Sequence, residues 1–93
     1  MTPTEAAELV NEVTDLAQLS RVEIAGFSWA GGVLRIRVED AGRRVVLLNQ
    51  LGIGVYRSYA SDGVEGVVGT MREGIFPIVD VEIYGSISVA AAA

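Results

Sequence analysis

Apolar residues fall at helical spacing through the first nineteen positions, and from Val22 onward they alternate with a period of two. That single change of period constrains the fold more than any other feature. A helix must bury one stripe and a half-buried strand must bury one face, so a helix followed by strands predicts an α+β domain with the helix laid on a sheet. The helical part starts with a recognisable signal. Thr2 is placed to cap, Pro3 suits the first helical position, and Glu5 stands three residues after the cap as in a capping box. Ala6, Leu9, Val10, Val13, Leu16 and Ala17 form the stripe, with Glu8, Glu12 and Asp15 away from it. The helix is expected to end near Leu19.

Beyond it, glycine-rich turns cut the chain into strands. Gly31-Gly32 separates an alternating run ending at Trp29 from Val33–Glu39, and such a pair suits a two-residue hairpin turn that needs positive φ. Two-residue geometry sets Trp29 opposite Leu34 and Phe27 opposite Ile36. Asp40–Arg43 reads as a second turn and Arg44–Leu48 as a third strand, with Val45 facing Val38 and Leu47 facing Ile36. Asn49–Gly54 reads as a loop or wide bulge. Val55–Ala60 and Val64–Met71 follow as strands about the turn Ser61-Asp62-Gly63. Arg72-Glu73-Gly74 closes another hairpin before a last strand carrying Val79, Val81, Ile83, Ile87 and Val89 on one face. Pro77 near the start of that strand predicts an edge position or a bulge. The expected architecture is an N-terminal helix packed on an antiparallel β-meander of about five to six strands. It forms one domain over residues 1–89, with 90–93 as a disordered alanine tail or cloning scar.

The 93 residues carry a net charge of −5, unevenly spread. Residues 1–20 hold four acids and no base. Residues 21–60 hold six arginines against Glu23, Glu39 and Asp40, and residues 61–93 hold five acids against Arg72. Such banding predicts neutralisation within the fold or across an oligomer, and with the acidic total it argues against nucleic acid as a partner. No apolar run reaches the roughly 20 residues needed to span a bilayer, and the acidic start is unlike a signal peptide, so a cytoplasmic location and no membrane partner are expected.

The sequence contains no His, no Cys and no Lys. The usual general base, thiolate and Schiff-base nucleophile are therefore missing, and no enzyme, cofactor or metal ion is expected. Gly52-Ile53-Gly54 is half of a phosphate-binding fingerprint, but the residues after it alternate like a strand where a helix would be required. Asp80 and Glu82, two apart on a strand, share a face and could serve a hard cation or acid–base chemistry. An exposed polar strip on an amphipathic strand accounts for them more simply.

The remaining functional signal is an outer sheet face that is too apolar. In the meander register, Val22, Ile24, Val46 and Leu48 share it with Arg35, Arg37 and Arg44, and Tyr56 and Tyr59 add aromatic area nearby. Apolar residues interleaved with Arg and Tyr match the composition of protein interfaces. The candidate interface is thus Val22, Ile24, Arg35, Arg37, Val46, Leu48, Tyr56 and Tyr59. It predicts a non-catalytic protein-interaction domain, homodimeric and binding another protein in an inhibitor, immunity, adaptor or chaperone-like role. Two alternatives are a binder of small apolar ligands, with a pocket between helix and sheet near Phe27, Trp29 and Tyr56, and a structural subunit assembling through the edge of residues 79–89.

Overall fold

The computed structural model describes residues 2–71 and 79–86. Helix α1 (Pro3–Leu19) is followed by strands β1 (Ile24–Ala30) and β2 (Val33–Val38), a short 3-10 turn (Ala41–Arg43) and helix α2 (Arg44–Gln50). Strands β3 (Tyr56–Ser61), β4 (Val64–Met71) and β5 (Val79–Ser86) complete the fold. One five-stranded sheet runs in the order β1-β2-β5-β4-β3. All its pairings are antiparallel except β2 with β5, which is parallel. The fold is α+β with a mixed sheet, and this corrects the purely antiparallel meander. Having made the β1–β2 hairpin, the chain crosses through α2 to the far edge, returns through β3 and β4, and inserts β5 in the middle.

The start of α1 forms as its residues dictate. The Thr2 hydroxyl accepts from the Glu5 N–H at 3.2 Å, and the Glu5 carboxylate accepts from the Thr2 N–H at 3.1 Å, closing the capping box. Those bonds to Thr2 hold the Glu5 carboxyl below its ordinary range. At the other end the chain turns by a Schellman motif. Val22 N–H reaches back to the Ala17 carbonyl and Arg21 N–H to that of Gln18, which places Arg21 at φ 58°. The Arg43 guanidinium donates to the Ser20 carbonyl at 2.7 Å, tying this corner to the start of α2.

Residues 44–50 are a helix, where the sequence pattern predicts a strand. A continuous run such as Val45-Val46-Leu47-Leu48 suits either period, and the deciding signals lie at its ends. Asp40 Oδ1 accepts from the Gly42 N–H at 2.9 Å and starts the turn. Gly52, at φ 77°, ends the helix as a second Schellman motif, with Gly52 N–H bonded to the Asn49 carbonyl and Ile53 N–H to that of Leu48. Gly52 is therefore a helix stop, and the helix it ends lies before it in the chain.

Both tight hairpins have two-residue turns with positive φ throughout, at Gly31-Gly32 and Asp62-Gly63. The β1–β2 register matches expectation, with Phe27 opposite Ile36 and Trp29 opposite Leu34, and a bulge at Ala25. The two helices cover one face of the sheet. Leu9, Val13 and Ala17 of α1 and Leu47, Leu48 and Leu51 of the α2 segment meet Leu34, Ile36 and Val38 of β2, Val67 of β4, and Val81 and Ile83 of β5. Burying each of the leucine, isoleucine and valine side chains among these is worth about 1.5–3 kcal/mol, and this layer holds the domain together. Arg72-Glu73-Gly74, Pro77, Ile87, Val89 and the alanine tail lie outside the described residues.

Candidate functional site

With both helices on one side, the other face of the sheet has no covering layer among the described residues. The pairings determine which side chains stand on it. Arg35 lies beside Glu82, Arg37 beside Tyr84, Tyr84 beside Gly66, Gly66 beside Tyr59, and Val68 beside both Glu82 and Arg57. Eight neighbouring positions in four strands thus build one connected cluster.

Its centre is Glu82. The Arg35 Nε donates to Glu82 Oε1 at 2.9 Å, and the Tyr59 hydroxyl donates to Glu82 Oε2. The Arg35 guanidinium also stacks over the Tyr84 ring, 4.5 Å from its centroid, a cation–π contact. Glu82 retains 17% side-chain exposure and Arg35 37%, so the pair is partly screened from water while remaining at the surface. Burial, with the Glu82 carboxylate as hydrogen-bond acceptor, pushes the Tyr59 phenol up to about 12. The same carboxylate raises Arg35 above its ordinary value. Around the cluster, Thr70 donates to Asp80 at 2.8 Å, and Arg37 and Arg57 are exposed without a carboxylate partner among the described residues.

Of the eight residues expected at an interface, the structure brings Arg35, Arg37 and Tyr59 together on this face. Leu48 is fully buried, Val22 nearly so, and Ile24 and Val46 pack against the core from the helix side. Tyr56 stands at the start of β3 on the helix side, beside a cleft of about 490 Å³ that Gly54, Arg57, Thr70 and Asp80 also line. Arg44 belongs to α2, where it pairs with Glu65 at 3.2 Å and donates to the Ala41 carbonyl. The assumed third strand is what placed Val46, Leu48 and Arg44 beside Arg35. Once residues 44–50 coil, that apolar half of the face moves into the core.

Two further corrections follow from the strand order. Strand β5 is paired on both sides, so residues 79–86 offer no free edge. Trp29 and Tyr56 sit on opposite edge strands, so one pocket cannot take both. Tyr84 and Arg57 escaped the sequence reading. Alternation puts Tyr84 on the same face as Glu82, but nothing local shows that β5 will lie beside β2. No group of acidic side chains suited to a metal ion occurs among the described residues, and no helix there is long and apolar enough to cross a membrane. Compared with protein-family models, with curated proteins and with solved structures, the chain matches none.

Proposed function

We propose that this chain is a non-catalytic protein-interaction domain that pairs with itself and presents the open face of its sheet to another protein. The observation that carries the proposal is the uncovered cluster of Tyr59, Glu82, Arg35 and Tyr84, flanked by the exposed Arg37 and Arg57. Tyrosine and arginine dominate interface energetics because they offer large amphipathic area with directional donors. Here one carboxylate already holds Tyr59 and Arg35, and Arg35 in turn stacks over Tyr84, so less side-chain freedom is lost when a partner docks. Arg37 and Arg57 remain available for the partner's carboxylates or carbonyls.

The same contacts weigh against bond chemistry on this face. Glu82 accepts from both Arg35 and Tyr59, and the Tyr59 phenol keeps its proton far above neutral pH. Neither is a free base. The test is charge reversal at Arg37 and Arg57. A partner captured by the wild-type chain should be lost from the double variant while folding stays intact.

A further inference from the structure

The sheet has two open edges among the described residues, and they differ. Strand β3 carries Arg57, whereas Ile24–Ala30 of β1 contains no charged residue and no proline, and the turn after it is Gly31-Gly32. Exposed edges in soluble proteins are usually blunted by charge, proline or a bulge, because every second residue turns its N–H and C=O away from the sheet. The one such device on β1 is the bulge at Ala25, which leaves Gly26–Ala30 regular. The flank of α1 above this edge is also uncharged. Pro3 and Ala6 border Trp29 in a groove of about 260 Å³, and helical spacing puts Val10 and Thr14 on the same side, away from Glu8, Glu12 and Asp15. Trp29 is 43% exposed there.

We infer that the β1 edge is the self-pairing surface, with Gly26–Ala30 of two copies joined antiparallel about a two-fold axis at Ser28. The unmatched backbone groups call for a strand. The absence of charge selects a second copy, because a chain of net charge −5 repels itself across its charged surfaces. The segment is also self-complementary. An axis at Ser28 sets Phe27 of each copy beside Trp29 of the other on the helix side, giving two aromatic cross-strand pairs, and sets Gly26 beside Ala30. The result is a continuous ten-stranded sheet with both open faces exposed. This inference rests on the self-pairing half of the function proposed above and leaves the open face to a foreign partner.

The register gives the test. Residues directly opposite at a non-hydrogen-bonded position lie about 4.5 Å apart at Cα, within disulfide reach. Ser28 is exposed and the chain contains no cysteine, so Ser28→Cys can form only an intermolecular bridge. The expected results are three. Light scattering behind a sizing column gives twice 9.8 kDa for the wild type. Trp29→Lys gives the single mass with an unchanged circular dichroism spectrum. Mild oxidation converts Ser28→Cys to covalent dimer far faster than the control Ser58→Cys on β3. A wild type that stays monomeric, with both cysteine variants cross-linking equally slowly, overturns the inference and the self-pairing reading together. A dimer that survives Trp29→Lys and dissociates with Arg37→Glu overturns the inference and leaves self-pairing in place on the open face.

Discussion

The Tyr59 ring lies across Gly66 of the neighbouring strand, filling the space that a Cβ at that position would occupy. An aromatic side chain folded over a cross-strand glycine shields backbone that would otherwise be open to water. Here it also delivers the phenol to Glu82, which already holds Arg35. One missing side chain on β4 thus permits the contact between β3 and β5 on which the cluster depends.

Gly66→Ala should displace that ring and separate Tyr59 from Glu82. In the wild type, phenolate absorbance should show a tyrosine step at about 12, which falls towards the ordinary value in Gly66→Ala and is missing in Tyr59→Phe. The linkage has a defined sign. A phenol that holds its proton more tightly when folded contributes stability that is fully present below its unfolded value near 10, and that is lost as pH rises through about 12. Denaturation midpoints of wild type and Tyr59→Phe should therefore converge as pH rises through this window.

On the helix side, Gly85 has a different reason to be glycine. A Cβ there would lie 2.8 Å from the Val38 carbonyl oxygen and 3.2 Å from the Ala41 Cα. This is where the chain leaves β2 and passes over β5 into the 3-10 turn, and the obstacle is backbone. Gly85→Ala should cost about 1–3 kcal/mol in chemical denaturation, as overpacking does.

Arg21 holds a left-handed conformation at the end of α1, a place usually taken by glycine. Arg21→Gly removes the steric penalty of about 1–2 kcal/mol and restores part of it as chain entropy. A gain of about 0.5–1 kcal/mol is expected, read as a raised denaturation midpoint.

What was legible in the sequence was local. Thr2, Pro3 and Glu5 announce α1, and Gly31-Gly32 and Asp62-Gly63 specify hairpins whose turn geometry follows from the glycines. Residues 44–50 misled because Val45 and Val46 favour strands, while the helix is decided by Asp40 at one end, Gly52 at the other, and the burial of Leu47, Leu48 and Leu51. The parallel pairing of β5 with β2 had no local signal, since the strands are some forty residues apart and meet only when the fold closes. That non-local step assembles the cluster, so Arg35 and Glu82 were each readable and their contact was not. Leu48→Ala should accordingly report on folding, with a loss of about 2–5 kcal/mol and no separate effect on assembly.

Binding of a protein to the open face is tested most directly by a matched capture. Immobilised wild type, Arg37→Glu/Arg57→Glu, and Glu8→Arg/Glu12→Arg on α1 would be compared at equal loading, each first shown to unfold cooperatively. A partner should be held by the wild type and the α1 variant and lost from the open-face variant, with a charge-dependent affinity that weakens as salt rises. Proteins retained equally by all three, or lost only with the α1 variant, would contradict it.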